Sequence, residues 1–122
     1  MFYGCQNLLY PPTLNCKKVK KCGCQEMFFN NKKMKYAPAI AVNNIDIQSF
    51  EYTFTNCQKI EHVYLPFNSV FYSTSCRGMF QDCSNLSYIA VNFTNWTDGT
   101  NLSSTLDWVK NVKSDGTFYC PE

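Results

Sequence analysis

Apolar positions recur along this chain at a fixed interval of 26 residues. Offset by that interval, Met1, Met27, Thr53 and Met79 share one column, and Phe2, Phe28, Phe54 and Phe80 share the next. Cys5, Asn31, Cys57 and Cys83 follow, then Leu8, Met34, Ile60 and Leu86. Val19, Ile45 and Phe71 form a further column, as do Cys24, Phe50 and Cys76. The copies stay in line without an insertion. Phenylalanine at one spacing through every copy marks an internal repeat, and the tail of the fourth copy, Leu86-x-x-Ile89-x-Val91, has the rhythm of a leucine-rich repeat.

Period-two alternation predicts a short strand at the tail of each copy, at residues 10–14, 36–40, 62–66 and 88–92, with a fifth at 115–119. It turns Pro11, Ala37, Val63 and Ile89 inward, together with Thr13, Ala39, Leu65 and Val91. Tyr10, Tyr36, His62 and Tyr88 then face outward, beside the columns Pro12, Pro38, Tyr64, Ala90 and Leu14, Ile40, Pro66, Asn92. Pro12 and Pro38 cannot donate to a ladder, so the first two strands are expected to be extended without full pairing.

The Met-Phe segment predicts a short helix on the opposite side. In the last copy Ser104-Thr105-Leu106-Asp107 resembles a capping box, Trp108, Val109 and Val112 have helical spacing, and Lys113 closes the helix before an Asp115-Gly116 turn. Asp98-Gly99 is read as a second turn. Continuing the same interval puts Thr105, Leu106, Val109 and Val112 in the Met, Phe, Cys and Leu positions, a worn copy of the kind that ends an array. One coil cannot bury its own apolar face, but stacked coils can, with parallel strands about 4.8 Å apart. The expected fold class is α/β: a leucine-rich-repeat solenoid with a parallel sheet on one face and short helices or turns on the other. Residues 1–122 form a single array of four repeats and a degenerate C-terminal capping coil.

The motif M-F-x-x-C-x-x-L, in Met1 to Leu8 and again in Met79 to Leu86, resembles the BspA-like class of leucine-rich repeats. Ala37-Pro38-Ala39-Ile40 is similar to the proline-bearing variants of that class. Trp108-Val109 with Gly116-Thr117-Phe118-Tyr119 resembles the closing coil of such arrays in proteins of gut bacteria and their phages. The resemblance spans essentially the whole chain and departs from the pattern at Asn31 and Thr53. It implies a non-enzymatic module of a larger surface or virion protein, and it carries no catalytic residue to transfer. Because the sequence opens inside a repeat, it is expected to be a fragment of a longer polypeptide.

Composition narrows the chemistry. A chain that is 45% hydrophobic is not a disordered one. Residues 1–61 carry eight lysines against four acids, and residues 62–122 carry three basic residues against five acids. Lys17, Lys18, Lys20, Lys21, Lys32, Lys33 and Lys35 read as a solvated face, since no nucleic-acid recognition motif accompanies them. No apolar run reaches the roughly 18 residues a membrane span needs.

Eight cysteines invite a disulfide reading, but Cys5, Cys57 and Cys83, like Cys24 and Cys76, sit in columns that Asn31 and Phe50 also occupy. They are expected to be packed free thiols. Any disulfide belongs among Cys16, Cys22 and Cys24. Cys22-Gly23-Cys24 lacks the C-x(2–4)-C pairing of zinc sites, and the one histidine, His62, shares a column with tyrosines. No phosphate-binding glycine loop or carboxylate pair is recognisable. No catalytic residue, cofactor or metal is expected. The Asn-x-Ser/Thr matches at Asn85, Asn92, Asn95 and Asn101 read as chance products of Asn- and Thr-rich turns.

The expected contact surface is the outward sheet face: Tyr10, Tyr36, His62, Tyr64 and Tyr88. Tyrosine presents a broad apolar face and a hydroxyl, which suits a protein or a cell-surface glycan alike. Ring stacking that merely stabilises the ladder is the alternative. The functional expectation is an interaction module of a bacterial cell-surface protein, in adhesion or protein recognition, without nucleic-acid binding or membrane insertion. A phage virion component contacting the host and a structural spacer are the other readings.

Overall fold

The computed structural model describes residues 2–15, 23–41, 50–66, 76–92 and 105–122. Among the described residues there are five short strands: β1 (Leu14–Asn15), β2 (Ile40–Ala41), β3 (His62–Leu65), β4 (Tyr88–Val91) and β5 (Thr117–Tyr119). All pairings are parallel, in two sheets ordered β1-β2 and β3-β4-β5. The domain is α/β-like only in having parallel strands joined by long connections, because almost no helix is found among the described residues.

The copies stack one on the next. The rings of Phe2, Phe28, Phe54 and Phe80 lie nearly parallel with centroids 5.3, 5.4 and 5.4 Å apart. Behind them run the buried side chains of Met34, Ile60 and Leu86, and those of Val63 and Ile89 from the strands. The departures at Asn31 and Thr53 fit their columns. Thr53 Oγ1 donates to the Cys24 carbonyl at 2.8 Å.

The expected helices are replaced by overlapping turns. Met27, Phe29 and Asn31 donate their N–H groups to Cys24, Glu26 and Phe28, each three residues back. The alternate groups, of Glu26, Phe28 and Asn30, cross to the carbonyls of Glu51, Thr53 and Thr55 in the next copy. The third copy repeats this, with Tyr52, Phe54 and Asn56 donating to Arg77, Met79 and Gln81. A helix would keep these donors internal and hold its neighbours 8–10 Å away. Rings stacked at 5.4 Å leave no such space.

The turns require a left-handed residue at two columns: Glu26, Tyr52, Gly78 and Asp107 in one, and Gly4, Asn30, Asn56, Asp82 and Asn111 in the other. Glycine, asparagine and aspartate tolerate that region best, so the second column suits its residues. At Gly78 any side chain would also run into the Tyr52 ring. Asp107, expected inside a capping box, is one of these left-handed residues.

The last copy is stacked in a different register from the one expected. Asn56 Nδ2 reaches Asn30 Oδ1 across 26 residues, whereas Asn111 Nδ2 reaches Asp82 Oδ1 across 29. Tyr88 likewise pairs with Thr117, and Phe80 N–H bonds the Trp108 carbonyl. Three additional residues therefore enter between Asn92 and Leu106. Trp108, Val109 and Val112 take the Met, Phe and Cys positions, and Leu106 stands exposed.

β3 and β4 fall where the alternation puts them, with Val63, Leu65, Ile89 and Val91 buried. β1 and β2 do not. They begin only after Pro12 and Pro38, and their pleat is reversed: Pro38 and Ile40 point inward while Thr13 and Ala39 are exposed. The hydrogen bonds reverse with it. Leu14 N–H bonds forward to the Ala39 carbonyl, while Asn92, in the same column, bonds back to Leu65. A shift of one residue turns every side chain to the other face. Proline at 38 and at 66 removes donors on both sides of the junction, and the ladder divides there into two sheets.

Candidate binding surface

The outward column is exposed as expected, from Tyr10 at 71% to Tyr88 at 38%. It is not continuous. Tyr10 and Tyr36 stack at 5.6 Å with planes 15° apart, and His62 meets Tyr88 edge-on at 5.9 Å. No ring contact joins Tyr36 to His62, because the sheet divides between them. Tyr64 is exposed, but Ala90 and Pro38 of its column are buried, and so is Ile40 of the column that follows. The site residues therefore form two clusters flanking the division.

Two recesses border these clusters. One, of about 360 Å³, lies along the division and is lined by Pro38, Ile40, His62, Val63, Tyr64 and Pro66, among others. The other, of about 440 Å³, is lined by Leu9, Lys33, Lys35, Lys59 and Glu61. Lys35 Nζ also sits 5.6 Å from the centre of the Tyr36 ring, and Lys33 Nζ donates to Asn7 Oδ1 at 2.9 Å. A third recess, of about 340 Å³, opens in the last copy among Leu86, Ile89, Trp108, Val109, Val112 and Phe118.

The cysteine column has a role beyond filling space. The Cys57 and Cys83 thiols lie 3.2 and 3.0 Å from the carbonyls of Phe28 and Phe54, one copy back. Asn31 makes the equivalent bonds, its Nδ2 donating to the Phe2 and Phe28 carbonyls, both at 2.8 Å. Asn and Cys alternate there because both donate a hydrogen, a shared property that the column itself displays. The cost appears at Asn31 Oδ1, which is buried without a partner. Cys5, in the first copy, is exposed, contrary to the expectation that it packs.

Burial pushes the thiols of Cys57 and Cys76 up to about 12, and raises that of Cys83 well above its ordinary value of 9.0. These groups are neutral and weakly nucleophilic near neutral pH. The six described cysteines are thiols rather than disulfides, while Cys16 and Cys22 lie outside the described residues, with Asn95, Asn101, the 98–99 turn and the Val19, Ile45, Phe71 column. No group of three or more metal-ligating side chains is found among the described residues, and none of their helices could cross a membrane.

Thiol labelling of the folded protein should separate the described cysteines into two classes. Cys5 and Cys120 are expected to react at once, and Cys24, Cys57, Cys76 and Cys83 only as the chain unfolds. Mass mapping of the modified peptides reads this directly, and fast labelling of Cys83 in the folded state would contradict the packing.

Comparison with protein-family models, with curated proteins and with solved structures gives no match in any of the three.

Proposed function

We propose that the chain is a BspA-like leucine-rich-repeat solenoid that serves as a recognition module of a bacterial cell-surface protein, acting in adhesion or protein binding. The observation that carries this reading is the row of exposed rings, Tyr10, Tyr36, His62 and Tyr88, held on one face by stacked copies. Tyr10 stacks on Tyr36, His62 meets Tyr88 edge-on, and each copy is hydrogen-bonded to its neighbours. Such a surface loses little freedom on binding, which favours affinity. Tyr64 adds a further exposed ring beside His62. An extended face of this kind is where stacked-repeat proteins commonly hold partners.

The test is a triple substitution, Tyr36→Ala with His62→Ala and Tyr88→Ala. All three residues are exposed, so the thermal midpoint should move by only a few degrees. Binding to host cells or to immobilised surface proteins and glycans should fall by about tenfold or more. Undiminished binding would remove the sheet face from consideration. Failure of the intact chain to bind anything would leave it a spacer that displays another domain.

A further inference from the structure

Among the described residues, the division between the second and third copies leaves the backbone groups that face it without a strand partner. Tyr88 and Asn92 donate to the carbonyls of Glu61 and Leu65, which fixes the pleat of β3. In a parallel ladder the groups of alternate residues face opposite neighbours. The N–H and C=O groups of His62 and Tyr64 therefore face the second copy, where Pro38 stands in place of a donor. No backbone hydrogen bond joins that copy to β3 among the described residues. These donors and acceptors open on the recess of about 360 Å³, beside the exposed Tyr64 ring.

The width of the opening limits what can enter. An inserted strand would need its two neighbours about 9–10 Å apart. Behind the division the two copies are locked together. Phe28 and Phe54 stack at 5.4 Å, and Phe28 and Asn30 donate to Thr53 and Thr55 at 2.9 Å. Peptide addition between the copies is thus sterically closed. A hydroxylated ring lying over the opening is not. It can place its apolar face on Tyr64 and its hydroxyls on the open backbone groups.

Charge adds a second requirement. Lys35 and Lys59 line a second recess of the same two copies with Lys33, against the single carboxylate of Glu61. Lys35 and Lys59 form no ion pair among the described residues. They directly neighbour the division in sequence: Lys35 precedes Tyr36, and Lys59 lies three residues before His62.

We propose that this division is a subsite for an anionic oligosaccharide, one ring resting on Tyr64 with its hydroxyls on the His62 and Tyr64 backbone, and an acidic group on another ring of the same oligosaccharide reaching Lys35 and Lys59. The inference rests on the recognition role proposed above and gives that surface a ligand class. It places the sugar where the sheet is broken rather than along the intact ladder.

Titration calorimetry with three hexasaccharides tests it: a sulfated one from heparin, a carboxylated one from hyaluronan, and neutral maltohexaose. At least one anionic sugar should bind about tenfold more tightly than maltohexaose at physiological salt. Lys35→Gln with Lys59→Gln should weaken that binding about tenfold, and Tyr64→Ala should weaken it comparably while circular dichroism stays unchanged. Lys32→Gln with Lys110→Gln, which removes two exposed charges outside the recess, should leave it intact. Equal binding of a polyglutamate peptide, equal loss in the control pair, or no binding of any sugar would overturn the assignment. If cell binding is lost in the sheet-face triple variant while no hexasaccharide binds, the subsite falls and the recognition role stands.

Discussion

Phe54→Ala is expected to destabilise the protein by about 3–5 kcal/mol, the range for emptying a phenylalanine site in a well-packed core. Phe54 is fully buried, and its ring is stacked on both faces, 5.4 Å from Phe28 and 5.4 Å from Phe80. Little relaxation is open to the site. The Phe28 N–H is bonded to Thr53 and the Phe54 N–H to Met79, so the backbones on either side cannot close on the void. Each copy depends on its neighbours for a core, so a void in a middle copy weakens two interfaces together. With total stabilities of 5–15 kcal/mol typical of domains, this is a large share. Urea unfolding followed by circular dichroism would measure it. Tyr10→Ala, at an exposed ring, should stay within about 0.5 kcal/mol. A loss below about 1.5 kcal/mol for Phe54→Ala would mean that the ring ladder contributes little.

The interval of 26 residues made the stacking legible, because a core shared between copies constrains the same column in each. The strands of the third and fourth copies were legible for the same reason: Val63, Leu65, Ile89 and Val91 alternate without a proline among them. In the first two copies Pro12 and Pro38 announced a weakened strand, but not the reversed pleat. That depends on which neighbour's donors are missing, and so on Pro66 across the junction. The exposed tyrosines were legible one by one, whereas their division into two clusters depended on the same junction.

Helix and turn were harder to separate. Apolar spacing in Met27-Phe28 or Trp108-Val109 suits either. The signal that distinguishes them was present in Gly4, Asn30, Asn56 and Asp82, a column of residues that accept a left-handed backbone. Glu26 and Tyr52 obscured the other column, since neither residue type favours that conformation. Asn111 marks the same turn in the last copy. Aligned on it, rather than on Leu106, the final interval lengthens to 29.

The second large effect is alkaline instability that sets in near pH 9. An unfolded cysteine ionises around 9.0, while Cys57 and Cys76 in the fold hold their protons to about 12. Above pH 9 the unfolded chain therefore binds fewer protons than the folded one, and stability falls as pH rises. The contribution of these thiols is complete below pH 9 and is lost progressively up to about pH 12. At pH 10 each of the two should cost about 1.4 kcal/mol, and Cys83, displaced in the same direction by burial, adds to that sum. Urea unfolding under reductant at pH 8 and pH 10 should thus differ by roughly 3 kcal/mol or more. Cys57→Asn separates this from other alkaline effects, because Asn31 shows that an amide can donate to the phenylalanine carbonyl one copy back. The variant should start less stable, with an unpartnered amide oxygen like that of Asn31, yet lose about 1.4 kcal/mol less than the parent between pH 8 and pH 10. An equal loss in parent and variant would show that the column's thiols ionise as freely in the fold as in the unfolded chain.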